Sequence, residues 1–416
     1  MTMSDQRLEP APSGIRPNLA KQLRRGERRR RLQALALTAP LMLFLIGVFV
    51  LPIAYILYLA VASPEMGEVL PRTSERLGAW DGDGLPDEET YEVLVREMAE
   101  AYEAKTIGGL GTRLNYEMPG FRSTIMKTAR RAEDMTAPFK AAMVERDEAW
   151  ADPDYWQIIK RAARPVTPLY VMQVLDLQYD DDGGIEKVPP ERSVYLDFLI
   201  RTFWISGSVT LICLVIAFPL AFYAANATSS LRFIVLGAVL LPFWISVLVR
   251  TAAWMIVLQK EGLVNGFLMS AGIVSGPLEL LFNRFSVYIA MVHVLLPFVV
   301  MPLYSTMRAI SPLQLRAAGS LGASPFAGFW TVYFPQTLPG LSAGALLVFI
   351  LALGYYITPA LVGGPGDQML SYLVTQFALE LGNWGMAAAA AGLLLICTFI
   401  SYIAFRQVLG ARGFMS

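Results

Sequence analysis

Histidine is almost missing from this 416-residue chain, which has only His293, and cysteine is scarce, with two residues. Both cysteines, Cys213 and Cys397, lie inside long apolar runs, so the sequence supports neither a disulfide framework nor a thiolate metal cluster. His293 stands among Met291, Val292, Leu295 and Leu296. A neutral imidazole, hydrogen-bonded within a helix bundle, is expected there rather than a catalytic base or a metal ligand. Charge is thin as well, since Asp, Glu, Lys and Arg together make up 16% of the residues. A phosphate-binding loop of the GxxxxGK type is absent, which excludes nucleotide hydrolysis by the chain itself. No nucleophile, base or metal constellation marks a catalytic site, and no nucleic-acid partner is expected.

What the chain has instead is apolar length, with aliphatic, aromatic and sulfur residues at 55% of the total. A hydrocarbon layer of ~30 Å takes about 20 mostly apolar residues per helix. Six stretches qualify: 33–62, 202–225, 233–259, 285–307, 341–362 and 385–405. The pattern is that of an all-α integral membrane protein with six transmembrane helices. Eight Lys or Arg crowd the stretch from Arg16 to Arg31, which holds the N-terminus in the cytoplasm. Six crossings return the C-terminus to the same side, where Arg406 and Arg412 agree with it. Ala60-Val61-Ala62 has the small-x-small form of a signal cleavage site, but the apolar stretch before it is about twice a signal core, so retention as a span is expected.

The divisions that follow are a basic cytoplasmic tail over 1–31, a first transmembrane helix over 32–63 and an external acidic insertion over 64–197. A core with five further spans covers 198–408, and a cytoplasmic tail covers 409–416. The insertion has 27 acidic and 16 basic residues. Tyr91, Leu94, Val95, Met98 and Tyr102 recur at helical spacing between Pro86 and Lys105, and Phe121 to Trp150 is similar but more charged. Two or three surface helices are expected, divided by turns at Gly108–Gly111 and Asp180–Gly184, capping the outer face without folding independently. Asp81-Gly-Asp83-Gly-Leu-Pro-Asp87 resembles the start of a calcium loop, with Glu92 at the twelfth position. Pro86 occupies the sixth position, where glycine is needed, so an ordinary acidic turn is expected.

From Ala317 to Gly366 the chain has no charge at all, and the segment that leads into this run is rich in start and stop signals. Ser311 is a good N-cap with Pro312 at the first helical position and Gln314 placed for a capping box. Gly322 can supply the left-handed residue that ends that helix, and Ser324-Pro325 repeats the start signal. Two short helices in tandem are predicted, with Pro335 and Pro339 separating them from the apolar stretch 341–362. With the N-terminus inside, this loop after the fourth span is cytoplasmic.

Arg316-Ala317-Ala318, Gly322 and Phe334-Pro335 resemble the cytoplasmic EAA loop of binding-protein-dependent ABC importer permeases, the type I, MetI-like fold. Ala317, Ala318 and Gly322 match in register, while Arg316 stands where the motif has its leading glutamate. The resemblance implies that 311–339 forms coupling helices, with Arg316, Ala317, Ala318, Gly322 and Pro335 as ATPase-coupling residues. It further implies two cytoplasmic ATPase partners that hold ATP and Mg, a second permease chain in a heterodimer, a periplasmic solute-binding protein, and residence in a bacterial inner membrane. No cofactor is expected on this chain.

A narrower resemblance, to the spermidine/putrescine class of these permeases, covers most of the chain from the second span on. It is carried by Leu241-Pro-Phe-Trp-Ile-Ser-Val-Leu-Val-Arg250-Thr-Ala-Ala-Trp254, Glu261-Gly-Leu-Val-Asn-Gly266 and Gly354-Tyr-Tyr-Ile-Thr-Pro-Ala-Leu-Val-Gly-Gly-Pro-Gly366. Residues 64–197 are an insertion relative to shorter members. A polycation is held by carboxylates and aromatic faces. Candidates for its path are Trp244, Trp254, Tyr355, Tyr356 and Asp367, with Asp197, Glu261, Glu279 and Glu380 near the outer mouth. Arg250 belongs to the same set, since a charge within a span normally faces the bundle or water. Two alternatives stay open: a permease of this kind for another small solute, such as an opine, an amino-acid derivative or a metal chelate, and an ion-coupled secondary transporter.

Overall fold

The computed structural model describes residues 33, 35–180 and 184–413, with side chains up to Gln407. The basic tail 1–31 and its arginines lie outside the described residues. The helix Leu35–Leu59 is long and apolar enough to cross a membrane. Its α-helical pitch widens to a π-turn over Ile46–Val50, just before Pro52. Proline has no N–H and crowds the carbonyl four residues back, and a π-turn gives that carbonyl room.

Beyond the first span, the chain forms an insertion and a bundle. The insertion contains eight α-helices among the described residues, not two or three, and has an apolar core separate from that of the spans. The helix Glu88–Glu103 buries Tyr91, Leu94, Val95 and Met98 on one face, as their spacing requires. Gly108–Gly111, expected as a turn, lies inside the helix Ile107–Asn115, because the flanking Ile107, Leu110 and Leu114 are all buried on one side. Trp150, Trp156, Tyr91 and Phe121 fill the centre. Their polar atoms are satisfied: Tyr91 Oη and Trp156 Nε1 both donate to the Trp150 carbonyl, at 2.9 and 3.1 Å, and Trp150 Nε1 donates to Thr128 Oγ1 at 2.9 Å. The buried Glu97 carboxylate accepts the backbone N–H groups of Arg72 and Thr73 at 2.8 Å each, which completes the N-terminus of the helix Pro71–Ala79.

Entry and exit of the insertion are paired. Ser63 N donates to Pro165 O at 3.0 Å and Thr167 N to Val61 O at 2.8 Å. A small hairpin, Leu177–Tyr179 with Ile185–Lys187, departs from the all-α expectation. Asp176 then caps the second span, its buried carboxylate accepting from Val194, Tyr195 and Leu196 N–H at 3.0, 3.2 and 2.8 Å.

The bundle is built on the second span (Tyr195–Asn226), the fourth (Arg284–Ala309) and the fifth (Pro325–Leu353). Gly340 and Gly344, spaced G-x-x-x-G, allow the fifth to approach the fourth closely. A Cβ on Gly344 would lie 2.9 Å from the Val299 Cα, and one on Gly340 2.9 Å from the Pro302 carbonyl oxygen. Two of the six expected spans are corrected. Residues 233–259 are not one helix but part of a pair, Ser229–Trp244 and Val247–Ser270, bent by 104°. Pro242, which cannot donate, tightens the chain into a 3-10 turn over Leu241–Trp244 just before the bend. The stretch 341–362 is not a span either. Its helix begins at Pro325 and stops at Leu353, and a separate short helix follows at Ile357–Val362. Pro335 and Pro339 therefore lie within the fifth span rather than before it, and the π-turn Phe329–Tyr333 accommodates Pro335 as Ile46–Val50 accommodates Pro52. The sixth span, Trp384–Gln407, agrees with the sequence, and its helix runs on to Gly413, into the expected tail 409–416. Residues 414–416 lie outside the described residues.

Candidate coupling and translocation sites

The tandem-helix element consists of Pro312–Ser320 and Pro325–Gly328. Ser311 Oγ accepts from Leu313 N at 3.4 Å, but the return bond from Gln314 that a capping box needs is not formed. Gly322 has φ +89°, and Ala323 N donates to the Ala318 carbonyl at 3.0 Å, so the first helix closes as its glycine predicted. Ser324 Oγ accepts from Ala327 N at 3.2 Å and starts the second helix. No residue of Pro312–Ser320 is buried, and Arg316 has no ion pair among the described residues. Large apolar side chains project from this element without cover: Leu321 is 89% exposed and Phe326 75%, with Leu313 and Trp330 exposed beside them in sequence. Such a surface is what a partner covers. The structure thus brings Arg316, Ala317, Ala318 and Gly322 into one short turn, and places Pro335 apart, in the span.

Arg250 lies one turn into the helix that follows the 104° bend and is only 8% exposed. Its Nη2 donates to the Ile245 carbonyl, at the bend, at 2.8 Å, while Nε has no partner among the described residues. Arg250 lines a cavity of about 430 Å3 together with Phe243, Phe298 and Tyr355, whose buried hydroxyl is also without a partner. The other candidates for the solute path are not in this lining. Trp254 Nε1 donates to His293 Nδ1 at 3.1 Å, so the lone histidine is neutral at that nitrogen, as its apolar setting requires. Trp244 is 90% exposed at the bend, and Tyr356 starts the helix Ile357–Val362. Asp367 is buried and ion-paired: its Oδ1 takes Arg284 Nε at 3.0 Å and its Oδ2 takes Gly364 N at 3.2 Å, which shapes the loop before residue 370. Glu279 pairs with Lys260 at 2.9 Å. Glu261 and Glu380 are exposed. Among the described spans, the carboxylates lie at helix starts or, for Glu261, in the turn that interrupts Val247–Ser270.

Sequence reading missed three groups. Asp176 caps the second span from 18 residues away, which no local pattern signals. Gly340 and Gly344 were visible as a G-x-x-x-G pair. The 245–246 break had only Pro242 to announce it.

Residues 214–411 match the family described as the binding-protein-dependent transport system inner membrane component. The chain is 33% identical over 214 residues to the spermidine/putrescine transport system permease protein PotB of Haemophilus influenzae, covering 51% of this chain and 75% of that protein. It is 34% identical over 229 residues to the inner membrane ABC transporter permease protein YdcU of Escherichia coli, covering 52% and 72%. A solved structure of a bacterial ABC transporter involved in the import of the acidic polysaccharide alginate has a TM-score of 0.44 at 18% identity, covering 51% of this chain and 79% of that one. Six apolar segments, one of them bent, an uncovered tandem-helix element after the fourth, and this shared sequence make the chain a multi-pass inner-membrane protein: it belongs to the binding-protein-dependent transport system inner membrane components, the permease subunits of ABC importers.

Proposed function

We propose that this permease carries polyamines of the spermidine and putrescine type into the cell by alternating access, with ATP and Mg held on two separate cytoplasmic ATPase chains. The observation that carries the coupling is the uncovered apolar element at 311–330, continuous with the fifth span. Its exposed Leu321 and Phe326 need a partner surface, and Gly322 provides a bend that a larger residue at φ +89° would strain. A second permease chain completes the pathway, since six spans make half of a translocation unit. A periplasmic binding protein delivers the solute, and both termini face the cytoplasm. The solute class is supported by the relatives' names, and the gradient-driven alternative is opposed by the second, fourth, fifth and sixth spans, which carry no carboxylate at mid-helix. Arg250 acts in this reading as a pin on the bend, held to Ile245, while selection of the cation falls mainly to the binding protein.

The test is uptake of labelled spermidine and putrescine by cells lacking the chain, with the intact chain restored and ATP depleted as a control. ATP-dependent rescue is expected, and unchanged uptake on deletion in cells without another polyamine system rejects the solute. Gly322→Leu is expected to leave the protein in the membrane and lower uptake at least tenfold while the partner ATPases still turn over. An unchanged ATP-dependent rate in that variant rejects the coupling role.

A further inference from the structure

A cavity of about 390 Å3 opens on the surface of the insertion, bordered by Ser123, Met126, Lys127, Arg130, Arg131 and Arg146. Between Glu117 and Glu133 the chain carries four cations, Arg122, Lys127, Arg130 and Arg131, and no acid, within an insertion that is acidic as a whole. Helical spacing puts Ser123, Met126, Lys127 and Arg130 on one face at the end of the helix Phe121–Ala129. Arg146 comes from a second helix, Phe139–Arg146, of which it is the last residue. The ion pair of Lys127 Nζ with Asp147 Oδ2, at 3.4 Å, brings the two helix ends together. Lys127, Arg130, Arg131 and Arg146 are all exposed, so a ligand in the cavity can reach their charged heads.

Elsewhere on the insertion, Arg72, Arg76, Arg96, Arg113 and Arg161 each pair with a carboxylate. Around this cavity the pairing is incomplete. Lys127 is answered by Asp147 and Arg131 by Asp134, whereas Arg130 and Arg146 have no ion pair among the described residues, which leaves the four cations two positive charges in excess. No carboxylate borders the cavity to offset them, so an anion is attracted to it. Arginine forks take phosphate oxygens two at a time, and cations that reach one cavity from two helices suit a tetrahedral group better than a planar carboxylate. Two excess charges match a dianion. We propose that the cavity binds a phosphate dianion, inorganic or monoester, on Arg130 and Arg146, with Lys127 and Arg131 adding charge at the rim. Occupancy would tie the end of Phe121–Ala129 to the end of Phe139–Arg146. A soluble phosphate and the headgroup of phosphatidate both offer this chemistry. The inference is independent of which solute the permease carries.

The test is equilibrium binding to the full-length chain in nanodiscs of phosphatidylcholine, with inorganic phosphate and glycerol 3-phosphate as probes and dimethyl phosphate and acetate as singly charged controls. A second arm measures the phosphatidate that the chain retains from mixed phosphatidate and phosphatidylcholine bilayers. Saturable binding of the soluble dianions, at least about tenfold tighter than either control or ~1.4 kcal/mol, supports the site with a soluble source. Retention of phosphatidate over phosphatidylcholine supports it with a lipid source. Arg130→Gln combined with Arg146→Gln alters two exposed, unpaired side chains, so the far-ultraviolet spectrum and the thermal transition are expected to persist while binding falls at least tenfold in the arm that shows it. Arg164→Gln, at an exposed arginine outside the cavity, is expected to leave binding unchanged. No saturable binding in either arm, acetate bound as tightly as phosphate, or binding that survives the double substitution overturns the proposal.

Discussion

The insertion and the bundle bury different things. The fully buried aromatic side chains, Trp150, Trp156, Tyr91 and Phe121, all belong to the insertion, whereas Met and Leu are fully buried in both regions. Where the spans meet, the buried residues include Ala217, Ala221, Ala290 and Ala352, and the closest approach runs through Gly340 and Gly344. Solvent explains the contrast. In water, large apolar side chains gain most by burial, at roughly 25 cal/mol per Å2. In lipid the surroundings are as apolar as the side chain, so contact is won by close approach and small residues hold the interfaces.

Four changes can break or sharpen this comparison. Trp156→Ala removes an aromatic from the insertion core, and about 3–5 kcal/mol of local stability should be lost. Hydrogen exchange is expected to rise across 88–162 while protection of the spans is retained. Gly344→Leu is the counterpart in the bundle and should cost about 1–3 kcal/mol or more through overpacking against Val299, read as a lower detergent melting temperature with the insertion unaffected. Asp176→Asn replaces a charged cap with a neutral one, and a loss of about 1 kcal/mol is expected as fraying at 194–197.

The smallest effect concerns pH. Burial pushes the Tyr91 phenol up to about 12, so the folded insertion favours the protonated form. This contribution is complete below the unfolded value near 10 and is lost as pH rises from about 10 towards 12. Alkaline melting of the insertion should therefore be less steep in Tyr91→Phe, at a cost of about 1 kcal/mol at neutral pH from the lost bond to Trp150.

Legibility in the sequence followed the range of the forces. The apolar face of Glu88–Glu103, the stop at Gly322 and the restart at Ser324 are set by neighbours three or four residues away, and they were read correctly. The sixth span was read within two residues because it has no internal proline. The fifth was misplaced because proline was taken as a boundary, whereas a π-turn lets the helix continue past Pro335. Asp176 and the cavity at Arg250 depend on contacts from distant parts of the chain, and their spacing carries no period. Of the candidate path residues, Asp367 was recognisable as a carboxylate but not as one already committed to Arg284.

The π-turn at Phe329–Tyr333 has a mechanical consequence. It joins the exposed helix at Pro325 to the span without a loop, so Pro325–Leu353 is a single rod of 29 residues, about 44 Å long at ~1.5 Å per residue. Its two ends are of opposite character: one carries the uncovered Phe326, and the other stops at Gly354, next to the Tyr355 side chain that faces the Arg250 cavity. The exposed Phe326 and the Tyr355 side of that cavity are thus tied through one continuous helix, whose π-turn and internal Pro335 and Pro339 are the positions at which it can bend.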